Sequence, residues 1–415
     1  MRSTEFIDHQ PRRRPRRYAV AVSLILCLAV ASPVAAVPSA SGKNAAVITT
    51  WNQVASSTVL ANPAAFLNYA FVHLAMYNAV NGITGRYELY QWDVHANMSA
   101  SPEAAAAAAA HRVLSTYFPA NAVALDAQLA ASLAVIPSGT RRDRGVAYGL
   151  LAADHIIALR ANDGRGAVVA IPPAVMAGDW SGPVFAVPWL GHVRPLALDS
   201  LTQLDPGPPP ALDSPEYLAD LAEVRALGDK NAPLTDERAA QIATANYFAA
   251  LPFAPMQEGL RGVATSRGLD ISESARFFAA TNTIIADALG TAWNAKLQEM
   301  FWRPAQAINH EIGAGGPAWE SLLPSPPYPE WPSGLCSVVG AMTASLQHLT
   351  GGMNLTMGTA AVGYRTWTSK AVLDQTAVDA RVWSGIHFRT SDEVAIDIGD
   401  ASADFILDRY FAPNH

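Results

Sequence analysis

The stretch YPEWPSGLCSVVGAM, residues 328–342, joins a proline-rich loop to an apolar helix. After Ser333 and Gly334, apolar residues recur at helical spacing, at Val338, Val339, Met342, Leu346 and Leu349. A helix that begins at Ser and Gly presents free backbone N–H groups and the positive end of its dipole, which together hold an anion. The sequence therefore predicts an anion pocket, although the next residue, Leu335, adds only an inert hydrocarbon to it.

The first 36 residues have the pattern of a secretory signal peptide. Five arginines between Arg12 and Arg17 precede the apolar run YAVAVSLILCLAVA, and small residues follow as far as Ala36. Because the apolar run is shorter than a membrane span, the pattern favours cleavage after Ala36 over an uncleaved anchor. We expect a secreted or extracytoplasmic protein with no stable membrane span after processing, and both the general secretory and the twin-arginine route stay open.

The charge and the cysteine content exclude two classes of protein. The 415 residues carry a formal net charge of −7, and residues 1–36 hold six Arg against Glu5 and Asp8, a net of +4, so the remainder has −7 − (+4) = −11. Nucleic-acid binding needs clustered Lys and Arg, so no nucleic-acid partner is expected. Only Cys336 remains after cleavage, which excludes an intrachain disulfide framework.

The mature chain, residues 37–415, is predicted to be all-α. Helical patterns fill residues 37–164 and resume over residues 233–415. Between them, residues 165–232 form a proline-rich crossover, and its Trp and Leu content predicts an ordered segment. No alternating strand pattern of useful length is present.

Four side chains in the last third could carry chemistry. Lys296 and Arg303 lie seven residues apart before Pro304, and we expect them on one face of a helix that the proline ends. Arg381 and His387 flank a glycine that should break a helix. Two guanidinium groups, an ammonium group and a Ser-Gly helix start can surround one tetrahedral oxyanion, with His387 as nucleophile or direct ligand. Each residue alone has an ordinary structural explanation, but their order and spacing favour a shared site.

That order resembles a known signature: Lys-x6-Arg-Pro, then Pro-Ser-Gly-His, then Arg-x5-His. It marks the vanadium-dependent haloperoxidases and the type 2 phosphatidic acid phosphatases. The first and third elements are complete at residues 296–304 and 381–387, and the second matches as Pro-Ser-Gly at 332–334. Segments such as AWNAKLQEMFWRPAQAI and GIHFRTSDE are similar to the bacterial haloperoxidase-like branch, and this likeness covers nearly the whole mature chain.

The resemblance implies a single domain of two fused helical bundles with a long proline-rich crossover, and an oxyanion at the end of one bundle. It implies vanadate as cofactor, with phosphate as a competing ligand, bound by Lys296, Arg303, Ser333, Gly334, Arg381 and His387. The three cationic side chains and His387 would be catalytic, with His387 as the vanadium ligand in a peroxidase or the nucleophile in a phosphatase. Hydrogen peroxide and a halide or a small organic substrate would be the reaction partners, and a homo-oligomer stays open.

Two departures from the family pattern concern proton transfer. Leu335 replaces the second His of the signature, which in the family assists peroxide binding or protonates the leaving group. Loss of general acid–base help typically costs ~10²–10⁴-fold in rate, so impaired or altered activity is expected. The Asp expected four residues after His387 is Ser391, with Asp392 one position late, so the orientation of His387 is less securely set.

Several neighbours could compensate for the missing His. Cys336 begins a helix, where the pKa of a thiol falls, although a small buried apolar role is the simpler interpretation. Other candidates are His310, Glu311 and Glu330 as a cover over the pocket, and Trp302, Trp331 and Trp383 as walls for a flat organic substrate.

Three functions therefore stay open. The first, a vanadium haloperoxidase-like enzyme, is favoured by the likeness over the whole chain. The second is a phosphoesterase that uses His387 as nucleophile. The third is a non-redox protein that catalyses a cofactor-free rearrangement or only binds an anion.

Overall fold

The protein, represented by a computed structural model, is described over residues 40–414, so the predicted signal peptide lies outside the described residues. In this range the α-helices are α1 (Ala40–Thr58), α2 (Ala65–Thr84), α3 (Pro102–Tyr117), α4 (Ala122–Ala134), α5 (Thr140–Leu159), α6 (Pro215–Leu227), α7 (Asp236–Ala250), α8 (Ala254–Ser266), α9 (Ile271–Glu299), α10 (Pro304–Ile312), α11 (Gly334–Thr350), α12 (Lys370–Trp383) and α13 (Arg389–Leu407). Strands β1 (Leu355–Thr359) and β2 (Gly363–Trp367) form an antiparallel hairpin with Leu355 opposite Trp367.

The predicted helical fold is confirmed, with two local differences. The hairpin was missed because its strands have only five residues each, too few to show clear alternation, although Leu355 and Met357 are buried. The crossover also contains a helix, α6. Its N-cap, Ser214, accepts a hydrogen bond from the N–H of Tyr217, which satisfies one of the free donors of the first turn.

Helix α9 is the element that both bundles share. On one side it packs against α1 and α2, and α2 in turn contacts α3 and α5. The alanine run of α3, Ala104–Ala110, is completely buried, which allows its neighbours to approach closely. On its other side α9 packs against α11 and α13. The last turn of α9 thereby carries Lys296 to the end of the second bundle.

Helices α11 and α13 pack at backbone distance. A Cβ atom at Gly399 of α13 would lie 2.2 Å from the backbone nitrogen of Ala341, so only glycine is accommodated there. This close pairing joins the middle of α13 to the middle of α11. The N–H of Ser333 donates a hydrogen bond to the carbonyl of Ser391 at 3.2 Å, which joins the two helix starts directly.

One buried carboxylate anchors three consecutive residues of the proline-rich crossover. Asp287 of α9 accepts hydrogen bonds from the backbone N–H groups of Leu196, Ala197 and Leu198 at 2.7, 2.7 and 2.9 Å. Burial raises the pKa of Asp287, and the three N–H groups act in the opposite direction. Without this anchor the segment 196–198 would leave three buried donors unpaired.

We expect Asp287→Asn to lower the free energy of unfolding by about 2 kcal/mol, because an amide oxygen replaces a carboxylate that accepts three hydrogen bonds. Denaturant unfolding followed by circular dichroism measures this change. Asp199→Asn is the matched control, since Asp199 lies in the same crossover but is exposed. Equal stability of the two variants would contradict an anchoring role for Asp287.

Candidate active site

The site residues predicted from the sequence lie at the ends of four helices. Lys296 is in the last turn of α9, Ser333 is the N-cap of α11, and Arg381 is in the last turn of α12. Arg303 immediately precedes α10, and His387 lies in the turn between α12 and α13, after a glycine with φ +75°. The predicted helix start at Ser333 and the predicted break before His387 both occur.

The expectation that Lys296 and Arg303 share a helix face was wrong. Helix α9 ends at Glu299 because Met300 adopts left-handed backbone angles, with φ 44° and ψ 37°. Arg303 therefore belongs to the connection between α9 and α10, and Pro304 starts α10 rather than ending α9. The two cations still meet, since both donate hydrogen bonds to the carbonyl of Pro329.

Lys296 and Arg303 bind the backbone of the loop that leads into α11. The ammonium group of Lys296 donates to the carbonyls of Pro329, Glu330 and Pro332 at 2.9, 2.8 and 2.5 Å. Arg303 donates to the carbonyl of Tyr328 through both Nε and Nη2, at 3.0 Å each. Burial lowers the pKa of Lys296 well below its ordinary value and the pKa of Arg303 to about 10.

Two aromatic rings complete the surroundings of these cations. The ring of Tyr328 lies 5.3 Å from Lys296 Nζ and 5.0 Å from Arg303 Cζ, and the ring of Trp293 lies 5.6 Å from Lys296 Nζ. Both distances and positions suit cation–π attraction. No sequence pattern indicates that these rings meet the two cations, because their approach depends on how the loop turns back onto α9.

His387 is held in one tautomer between a cation and a carboxylate. Its Nε2 faces Arg303 Nη1 at 2.9 Å and must accept that hydrogen bond, so the ring proton is on Nδ1 and is donated to Glu330 Oε1 at 2.7 Å. Burial, and then the charges of Arg303, Arg381 and Lys296, lower the pKa of His387 well below its ordinary value. The geometry and the pKa both favour the neutral imidazole.

The carboxylate that orients His387 comes from a part of the chain where it was not expected. The family pattern indicated position 391 or 392, but Glu330, directly before the Trp-Pro-Ser-Gly segment, makes the contact. Its Oε1 also accepts the N–H of Phe388 at 3.1 Å, so it fixes the backbone after His387 as well as the ring. Burial raises the pKa of Glu330 to about 7, against the opposing effect of Arg303 and Lys296.

Asp392 and Cys336 form a separate contact beside Ser333. The Cys336 thiol donates to Asp392 Oδ1 at 3.4 Å, and both side chains are buried. Burial raises the pKa of each well above its ordinary value. The expected lowering of the Cys336 pKa by the helix start is therefore outweighed, and Cys336 is a buried thiol rather than an activated nucleophile.

Several buried polar atoms among residues 40–414 have no hydrogen-bond partner, and two of them are donors of this site, Ser333 Oγ and Arg381 Nε. The side chain of Ser333 does not cap α11, although Ser333 is its N-cap, so the first N–H groups of this helix, from Gly334 onward, are left for another acceptor. A Cβ atom at Gly334 would lie 2.7 Å from the Trp293 ring, which explains the glycine. These groups are suited to donate hydrogen bonds to a tetrahedral oxyanion.

The other candidates from the sequence lie elsewhere. His310 is exposed and its ring centroid lies 5.5 Å from that of Trp302, with the two ring planes tilted by 53°. Glu311 forms an ion pair with Arg225, so neither residue covers the site. Trp302 is buried in an apolar cluster with its near neighbours, as is Trp331, and Trp383 is half-buried. The Trp residues therefore act mainly in packing.

Comparisons with known proteins agree with this architecture. Residues 276–413 match the VCPO second helical-bundle domain. The structure is similar to a bacterial vanadium-dependent iodoperoxidase (TM-score 0.75, 23% identity, covering 89% of this chain and 96% of that chain). It is also similar to the apo and holo forms of bacterial vanadium-dependent chloroperoxidase (TM-scores 0.69 and 0.68, identities 19% and 18%, covering 83% and 85% of this chain and 92% and 93% of those chains). Among curated proteins, the sequence has no significant match.

The protein therefore has the fold of the vanadium haloperoxidases, and its C-terminal third carries their second helical-bundle domain. The helical fold that the resemblance of the Lys-Arg-Pro, Pro-Ser-Gly and Arg-His elements implies is confirmed. All three elements lie within residues 276–413.

The contact between Glu330 and His387 predicts a specific dependence of stability on pH. Because burial raises the pKa of Glu330 from 4.5 to about 7, the folded state binds more protons than the unfolded state between these pH values. The contribution of Glu330 to stability is therefore present below pH 4.5 and is lost as the pH rises towards 7. Glu330→Gln does not titrate, so the stability of wild type relative to this variant should fall by up to about 3 kcal/mol over this range.

Urea unfolding of both proteins at the two ends of this pH range measures the effect. Glu237→Gln, on the exposed first turn of α7, controls for the substitution itself. If the free energies of unfolding of wild type and Glu330→Gln change with pH by the same amount, a raised pKa of Glu330 is contradicted.

Proposed function

We propose that the protein is a vanadium haloperoxidase-like enzyme that binds vanadate, or phosphate as a competing ligand, and oxidises halide with hydrogen peroxide at reduced efficiency. The observation that carries the proposal is the pair of buried donors without partners, Ser333 Oγ and Arg381 Nε, at the uncapped start of α11. A buried donor without a partner costs free energy, and an anion at this position removes that cost. The fold and the second helical-bundle domain support the same assignment.

The site residues would have two roles: some would contact the oxyanion, and others hold the loop that leads into α11. Arg381, Ser333 and the N–H of Gly334 would contact the oxyanion directly. Lys296 and Arg303 hold the loop 328–332 through its carbonyls and supply positive charge to the site. Vanadate bound here would supply the activation of peroxide for halide oxidation.

His387 would act at the central atom of the anion through Nε2. Glu330 holds the proton on Nδ1, which leaves the Nε2 lone pair for a ligand or a nucleophilic role. In the structure that lone pair is engaged by Arg303 Nη1 at 2.9 Å. Binding at His387 therefore requires Arg303 to release Nε2, and the freed guanidinium hydrogen would then be available to the anion.

The neutral, carboxylate-oriented His387 also supports the second candidate, a phosphoesterase. A neutral imidazole with its proton on Nδ1 is the form that can attack phosphorus. Leu335 limits both reactions equally, because a hydrocarbon can neither bind peroxide by hydrogen bonding nor protonate a leaving group. A cofactor-free rearrangement, or anion binding alone, is the remaining alternative and requires no acid at position 335.

The signal-peptide pattern of residues 1–36 supports an exported protein. None of the helices between residues 40 and 414 has the length and apolar character that crossing a bilayer requires. On the pattern of residues 1–36, we place the enzyme outside the cytoplasm in this proposal.

Substitution of Arg381 tests the oxyanion site. Arg381→Gln should weaken vanadate and phosphate binding by about 10- to 100-fold, because a charge-assisted hydrogen bond is replaced by a neutral one. Isothermal titration calorimetry on the mature protein measures both affinities. Arg409→Gln, an exposed residue after α13, is the matched control. If wild type binds neither anion, the proposed function is rejected.

Restoring a histidine at position 335 tests the cause of reduced turnover. Leu335→His should raise peroxide-dependent bromination of monochlorodimedone by about 10²-fold or more, because the helix start regains a proton-transfer group. Leu335→Phe controls for the change in size. If Leu335→His binds vanadate but gains no halogenation activity, the phosphoesterase is favoured instead. Hydrolysis of phosphate esters by the same variant would then test that function.

A further inference from the structure

Next to the anion site lies a small cavity with apolar walls, here called the Leu335 cavity. Its volume is about 70 Å³. Its floor consists of buried side chains from α2, α8, α9 and α11: Phe66, Met256, Leu289, Trp293 and Val338. Its mouth is formed by half-buried residues, including Phe253, Tyr328 and Leu335.

The Leu335 cavity and the anion site share three wall residues. Gly334, whose N–H belongs to the start of α11, lines the cavity, as do the rings of Trp293 and Tyr328. The centroids of the Trp293 and Tyr328 rings also lie 5.6 and 5.3 Å from Lys296 Nζ, respectively. A ligand at the helix start could therefore direct an apolar group into the cavity without crossing a polar surface.

A strained residue stands at the mouth of the cavity. Phe253 has φ 70° and ψ −109°, angles that a bulky side chain rarely adopts, and it is the N-cap of α8. Its ring packs at 5.5 Å against Phe66 of the cavity floor. Such strain is common at ligand-binding positions, where the surrounding structure holds a side chain in place. The disfavoured backbone angles of Phe253 thus place its aromatic ring at the cavity mouth.

We propose that the Leu335 cavity binds the short alkyl group of an organic anion whose charged end occupies the anion site. This inference rests on the proposed oxyanion function of Ser333 and Arg381. The volume is about half of the ~150 Å³ that holds benzene in an engineered apolar cavity, so a short alkyl chain is accommodated better than an aromatic ring. In this arrangement Leu335 is a specificity residue, because a polar side chain there would break the apolar wall.

The probes are methylphosphonate and n-propylphosphonate, which have the same charged group and differ by two methylenes. Wild type should bind the propyl compound about tenfold more tightly, since each buried methylene contributes to affinity. Leu335→His should retain binding of methylphosphonate and lose most of the preference for the propyl compound. Leu151→His, an exposed leucine on α5, should leave the preference unchanged. Calorimetry with competition by vanadate measures these affinities and checks that both probes use the anion site.

Equal affinity of wild type for the two phosphonates would overturn the proposal. If neither phosphonate nor phosphate binds, the oxyanion function itself fails, and xenon-pressurised crystals then test the cavity by itself. Xenon in contact with Leu335 and Met256 would support an apolar binding site for a neutral group. An empty cavity under xenon would overturn that as well.

Discussion

The site depends on the binding of one loop by two buried cations. Lys296 and Arg303 direct their hydrogen atoms to the carbonyls of residues 328–332, and this contact fixes the path of the chain into α11. Buried cations are costly unless they are well paired, and carbonyl dipoles supply that pairing here. The start of α11 is thereby held rigidly against α9, which is a condition for any preorganised anion site.

The second constraint is the position of His387. Its ring lies between Arg303 and Glu330, and the carboxylate also receives the N–H of Phe388. One acidic side chain thus sets the tautomer, the ring orientation and the following backbone. Since Glu330 belongs to the loop that Lys296 and Arg303 bind, the histidine and the helix start are positioned by the same segment. A disturbance of that loop would alter both together.

In the proposed function, Leu335 affects proton transfer without affecting the groups proposed to bind the anion. The donors proposed to bind an oxyanion belong to Ser333, Gly334 and Arg381, so they do not depend on the side chain at position 335. The hydrocarbon instead joins Phe66, Met256 and Val338 in an apolar cavity. Position 335 thus provides an apolar surface where the family signature has a histidine.

The sequence by itself determined the helical class, the helix start at Ser333, the break before His387 and the order of the superfamily elements, because local propensity and spacing decide these features. It did not determine the end of α9 at Glu299, which depends on a left-handed Met300, or the hairpin of residues 355–367. Nor did it identify Glu330 as the partner of His387, because 57 residues separate the two along the chain. Only the tertiary structure brings such groups together, since the packing of α9, α11 and α13 decides which buried charges meet.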